Sequence, residues 1–127
     1  MRLLLDTHVL LWWLGSKARL GPQATARIED VHGEVFVSAS TAWEIAVKQA
    51  AGKIHVPFDV VTAIEEEGFI PLPITMAHGV AAGALPRHHA DPFDRMLVAQ
   101  AREEGLWLVT SDAAVQRYDV PWIDADA

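Results

Sequence analysis

The stretch Arg2-Leu3-Leu4-Leu5-Asp6-Thr7-His8 is a short unbroken apolar run that stops on a carboxylate. Three leucines with no polar alternation read as a strand buried on both faces, which is the signature of a parallel sheet covered by helices. Asp6 then sits at the strand's carboxyl end, the edge at which open parallel α/β sheets bind ligands. It has a second possible role as the cap of the helix predicted over Thr7 to Leu14, and a helix N-terminus serves capping and ligand binding alike.

Working outward from this run, the same alternation recurs along the chain. Pro22 opens a helix to about Asp30, and Val35 to Val37 form a second strand that ends in the small hydroxyl-rich cluster Ser38 to Thr41. The following helix runs to about Ala51 and stops at Gly52. Its apolar residues cover most of the circumference, so it is expected to be largely buried. A fourth helix is predicted from Pro57 to about Glu67, and a short strand over Phe69 to Leu72 is placed on an edge by Pro71 and Pro73. A weak helix over Thr75 to about Leu85 and a loop over Pro86 to Ala90 lead to the most distinct helix, which begins at Asp91-Pro92-Phe93-Asp94 and ends near Gly105. Trp107 to Thr110 reads as a strand, Ser111-Asp112 as the cap of a short helix, and Val120 to Ile123 as a last edge strand. Strands and helices alternating at this spacing define an α/β domain with a parallel sheet.

Composition narrows the function. The 127 residues fit one domain, 1–127, able to bury a substantial core without staples. With no cysteine, thiol catalysis, disulfides and thiolate-bound zinc are excluded. The apolar runs are too short for a membrane span or a secretory leader, so no membrane partner and a cytoplasmic location are expected. A net charge of −7 argues against a broad electrostatic grip on nucleic acid, yet it leaves room for cations that bridge to phosphates.

Four acids stand where carboxylates are costly. On the last long helix Leu97, Val98 and Ala101 mark the buried side, and Asp94 falls three and four residues before Leu97 and Val98, so it is expected to point inward. Arg95 and Arg102 fall on the opposite, solvent-facing side. Asp91 suits the N-cap before Pro92, with a capping-box role as the alternative for Asp94. Glu44 is one of two charges on an otherwise apolar helix and has either an inward role or an ion pair with Lys48. Asp112 ends a buried strand much as Asp6 does, with capping again as the alternative. Together, Asp6, Glu44, Asp94 and Asp112 can converge on one sheet edge, and crowded like charges need a divalent cation. Oxygen donors without cysteine favour Mg2+ or Mn2+ over zinc. His88 and His89 are expected to be loop residues or phosphate contacts rather than ligands. Neither a P-loop nor a dinucleotide-binding fingerprint is present. A carboxylate cage with such a cation suits phosphodiester hydrolysis.

These residues place the chain in a recognisable group. Leu3-Leu4-Leu5-Asp6-Thr7-His8, Ser40-Thr41-Ala42-Trp43-Glu44-Ile45, Asp91-Pro92-Phe93-Asp94-Arg95-Met96-Leu97 and Val109-Thr110-Ser111-Asp112 occur in an order that resembles the PIN-domain ribonucleases, specifically the VapC-type toxins of bacterial toxin–antitoxin pairs. The resemblance implies a PIN-like three-layer fold, with a central parallel sheet of four to five short strands flanked by helices. It implies Asp6, Glu44 and Asp94 as metal-site acids, Asp112 as the fourth, and Thr7 or Thr110 as supporting hydroxyls. An RNA substrate, a cognate antitoxin and a homodimer are implied as well. Arg87, Arg95 and Lys48 are candidates for phosphate positioning. The tandem tryptophans Trp12 and Trp13 are candidates for an antitoxin surface, with a core role as the alternative. Two other readings are weighed: a PIN-like module that only binds a partner, and a receiver-like signalling domain, for which no convincing strand-end lysine is present. A haloacid-type phosphatase is disfavoured by His8, where a second aspartate is expected.

Overall fold

The computed structural model describes residues 1–127. Five parallel strands, β1 (Arg2–Leu5), β2 (Glu34–Ser38), β3 (Ile70–Leu72), β4 (Trp107–Thr110) and β5 (Trp122–Asp124), form one sheet in the order β3-β2-β1-β4-β5. The leucine run is the central strand: Leu3 and Leu4 face Val35 and Phe36 of β2 on one side, and Trp107 and Leu108 of β4 on the other. Both prolines of the third strand region sit at the sheet's edge, where a missing N–H costs no ladder bond.

Period-two alternation divides the leucines between two cores. Leu3 and Leu5 pack with Val9, Leu10, Val37, Ile45 and Ile64, a layer supplied by α1 (Thr7–Gly15), α2 (Pro22–Glu29), α3 (Ala39–Ala50) and α4 (Val60–Glu66). Leu4 points to the other face, against Leu97, Val98, Leu106 and Leu108, under α5 (Met76–Ala84) and α6 (Pro92–Glu104). The result is three layers, helices on sheet on helices. No helix is long and apolar enough to cross a membrane.

Two glycines are required by geometry. Gly105 ends α6 with φ +68°, the left-handed cap that releases the chain into β4. Gly21 precedes α2 where the Ala127 carbonyl accepts from the N–H groups of Gln23 and Ala24, and a Cβ at Gly21 would lie 1.9 Å from that oxygen. The Ala127 backbone oxygen therefore caps α2 in place of a side chain.

Two expectations are corrected, and one open alternative is decided for the core. The fourth helix begins at Val60 rather than Pro57, because Asp59 is its cap, accepting from the Val61 N–H at 3.2 Å and the Thr62 hydroxyl at 2.8 Å. α3 is not largely buried: Ile45, Thr41 and Glu44 face inward, whereas Trp43 (62% exposed) and Val47 (45%) face solvent. The tandem tryptophans do not form an open surface. Trp13 is buried with its indole N–H donating to Glu67 at 3.2 Å, and Trp12 is half-buried beneath the Arg19 guanidinium.

Candidate metal centre

The sheet topology creates a crevice at its carboxyl edge. The chain leaves β1 through α1 on one face and leaves β4 through Val115, which packs on the other, so a switch point lies between these neighbouring strands. Asp6 follows β1 directly and Asp112 follows β4 by two residues, which sets both carboxylates at the mouth of that crevice. α3 and α6 bring Glu44 and Asp94 to the same place.

Asp6 is buried and caps α1, accepting from the Val9 N–H at 2.8 Å. Burial pushes its carboxyl up; hydrogen bonds from the Thr110 hydroxyl and Val9 oppose this, and the nearby Asp112 charge adds to it. Capping and a place in the site thus coincide at Asp6. Glu44 is buried too: Thr7 donates to its Oε1 at 2.6 Å, and Lys48 pairs with its other oxygen. The inward position and the ion pair, posed as alternatives, occur together. Lys48 is therefore occupied by Glu44 rather than free for phosphate.

Asp91 is the N-cap of α6, accepting from the Phe93 N–H at 2.8 Å, and Asp94 turns into the crevice. Its carboxyl is pushed up to about 7, first by burial and then by the charge of Asp91, with Asp6 and Glu44 adding repulsion and His89 opposing it. At Asp112 burial also pulls upward, but the His89 hydrogen bond and the N–H groups of Ala114 and Val115 outweigh it and hold the carboxyl below its usual value. Asp94 is thus raised by burial first and then by the charges of Asp91, Asp6 and Glu44.

His89, expected as a loop residue or phosphate contact rather than a ligand, reaches the acids: its Nε2 lies 2.9 Å from Asp94 Oδ2 and 3.0 Å from Asp112 Oδ2. Its Nδ1 accepts the Asp91 N–H at 3.1 Å, which leaves Nε2 to donate to Asp112 Oδ2, with Asp94 Oδ2 in ion-pair range beside it. His89 Nε2 thus lies between these two acids. Ligand atoms of His89, Asp94 and Asp112 all lie within 4.8 Å of one another. Asp6 and Glu44 lie outside that trio but near enough to act on Asp94 by charge, and the carboxylate oxygens gathered here fit a hard divalent cation.

Arg95 departs from its expected solvent-facing role. Its guanidinium donates to the carbonyls of Ala82 (3.0 Å), Leu85 (3.1 Å), Pro86 (3.0 Å) and His89 (3.5 Å) and to the Tyr118 hydroxyl (3.3 Å). It therefore holds the α5–α6 loop, and with it His89, rather than a phosphate. Arg87 is exposed on the same loop.

The PIN domain family model matches residues 3–121. The chain belongs to the PIN-domain family. It is 32% identical over 122 residues to Ribonuclease VapC22 of Mycobacterium tuberculosis, covering 93% of this chain and 92% of that protein. Among solved structures, VapBC2 from Rickettsia felis bound to a DNA fragment from its promoter superposes with a TM-score of 0.75 at 13% identity, covering 99% of this chain and 100% of that one. VapBC-1 from nontypeable Haemophilus influenzae gives a TM-score of 0.69 at 18% identity, with 98% of each chain covered. These two share the three-layer PIN fold.

Proposed function

We propose that this PIN-domain protein is a divalent-metal-dependent endoribonuclease, the toxin of a toxin–antitoxin pair. The observation that carries the reading is the gathering of Asp6, Glu44, Asp94 and Asp112 at one sheet edge, with Asp94 pushed up to about 7 by burial and by neighbouring charge. A cation held by these four acids would activate water as a Lewis acid and neutralise charge on the scissile phosphate. The chain's own groups prepare the site. Thr7 and Lys48 fix the rotamer of Glu44, Thr110 and the α1 N-terminus fix Asp6, and the turn after β4 fixes Asp112 through two N–H groups. Asp94 is the acid that must shed its proton when a cation enters. Mg2+ and Mn2+ both suit this donor set.

Ribonuclease activity follows the 32%-identical VapC22, and single-stranded RNA is the substrate class proposed for the crevice. An antitoxin partner follows the VapBC complexes that share the fold. Its place is a mainly apolar groove of about 600 Å3 between α3 and α4, lined by Ala42, Ile45, Ala46, Phe58, Val60 and Val61. A homodimer belongs to the same reading, supported by the exposed Met76 and Val80 one turn apart on α5, and sedimentation of the isolated chain tests it. For the activity, purified protein is incubated with single-stranded RNA, treated with chelator and resupplied with Mn2+. Cleavage should vanish and return; cleavage that survives both chelation and Asp6→Asn contradicts the proposal.

A further inference from the structure

Gln100 is fully buried within the core under α5 and α6, where an unpaired amide would be strongly disfavoured. Its two ends are satisfied by different elements. The Ser38 hydroxyl donates to Gln100 Oε1 at 2.5 Å, while Gln100 Nε2 donates to the Pro73 carbonyl at 3.3 Å and lies 3.4 Å from His78 Nδ1. The orientation of the amide is fixed by these partners, since a flipped amide would set its carbonyl against that of Pro73. Ser38 itself caps α3, accepting from the Ser40 N–H at 2.9 Å.

The two partners of this bond govern the two helices that carry acids. Ser38 starts α3, which bears Glu44, and Gln100 lies on α6, which bears Asp94. A second, longer tie joins Ser40 Oγ to the Phe93 carbonyl at 3.4 Å, beside Asp94. An apolar side chain would fill the volume of Gln100 without cost in burial, so an amide at this position contributes directionality: it allows one separation and one rotation of α3 against α6.

We infer that Gln100, through Ser38, is a positioning residue for the carboxylate site, locking α3 to α6 and thereby setting the spacing of Glu44 and Asp94. The inference rests on the metal-site reading of those acids. It is tested by measuring Mn2+ affinity of the folded, metal-free protein alongside its denaturation midpoint, for Gln100→Met, Ser38→Ala, the double variant and Ser38→Thr. Gln100→Met leaves the α3 cap intact, so agreement with Ser38→Ala assigns the effect to the shared bond rather than to capping. Each single change should weaken Mn2+ binding about tenfold to a hundredfold, in the range for residues that orient metal ligands. The double variant should be no weaker than the weaker single one, and Ser38→Thr, which keeps the hydroxyl, should restore affinity. The KM for RNA should stay near wild type while kcat falls at limiting Mn2+. Variants with a lowered midpoint but wild-type Mn2+ affinity overturn the inference and leave the metal site standing, as does a double variant whose losses multiply. If Gln100→Met fails to fold, Ser38→Ala against Ser38→Thr decides on the same readout. A wild-type protein without Mn2+ affinity overturns both the inference and the metal-site reading.

Discussion

Replacing Asp94 with asparagine should make the metal-free protein more stable while abolishing its activity. The carboxyl is raised from 3.8 to about 7, so between those values the folded state holds a proton that the unfolded state has lost. Stability therefore falls as pH rises through this window, and the penalty is complete above about pH 7. At ~1.4 kcal/mol per pH unit the ceiling is about 4 kcal/mol. Asparagine removes that penalty but weakens the 2.9 Å contact with His89 Nε2, which offsets about 1 kcal/mol. A net gain of about 2 to 3 kcal/mol is expected near pH 8, shrinking to nothing near pH 4, where the wild-type carboxyl is protonated in the folded state. Asp91→Asn should preserve the α6 cap and leave RNA cleavage near wild type, with a small gain in stability because a charge that repels Asp94 is gone. Urea denaturation in chelator at both pH values, with cleavage assays in Mn2+, measures all of this. An Asp94→Asn protein no more stable than wild type near pH 8 refutes the electrostatic account, and a dead Asp91→Asn beside an active Asp94→Asn refutes the ligand assignment.

Other outcomes follow from single contacts. Arg95→Ala strands several loop carbonyls and should cost about 3 kcal/mol in thermal or chemical denaturation, and Arg95→Lys should recover little because one ammonium cannot span the same set of oxygens. Because Asp94 must lose a proton to ligate, apparent Mn2+ affinity should fall about tenfold per pH unit below pH 7, as read by titration calorimetry in buffers of different ionisation heat. A pH-independent affinity would count against Asp94 as a ligand. Phe58→Ala combined with Val61→Ala should weaken binding of the proposed antitoxin by about 2 kcal/mol or more without impairing RNA cleavage; unchanged affinity in a pull-down titration would move the docking site elsewhere.

The order of elements and the parallel sheet were legible because each strand is bounded by a residue with a clear physical duty. Leu3 to Leu5 admit only a buried strand, Pro71 forces β3 to an edge, and Gly105 closes α6. Helical spacing turned Asp94 inward and capping chemistry gave Asp91 to the helix start, and both are seen in the fold. Three other features depend on contacts distant in sequence and escaped such reasoning. The tilt of α3 against its neighbours decides that Trp43 and Val47 face outward, and an almost uniformly apolar helix carries no signal of that rotation. His89 meets Asp112 only because the α5–α6 loop folds back over β4. Arg95 turns to the same loop, whose irregular backbone leaves carbonyls that need donors. That need was the available signal: a loop without regular structure, followed by an arginine in the first turn of the next helix.

The most direct measurement is anomalous diffraction from crystals of the protein grown with Mn2+. The account predicts an anomalous peak in the crevice at the carboxyl ends of β1 and β4, ligated by carboxylate oxygens from the set Asp6, Glu44, Asp94 and Asp112, with the His89 ring displaced from its bridge between Asp94 and Asp112. Saturating Mn2+ with no peak among these four acids, or a peak confined to acids elsewhere on the surface, would contradict it.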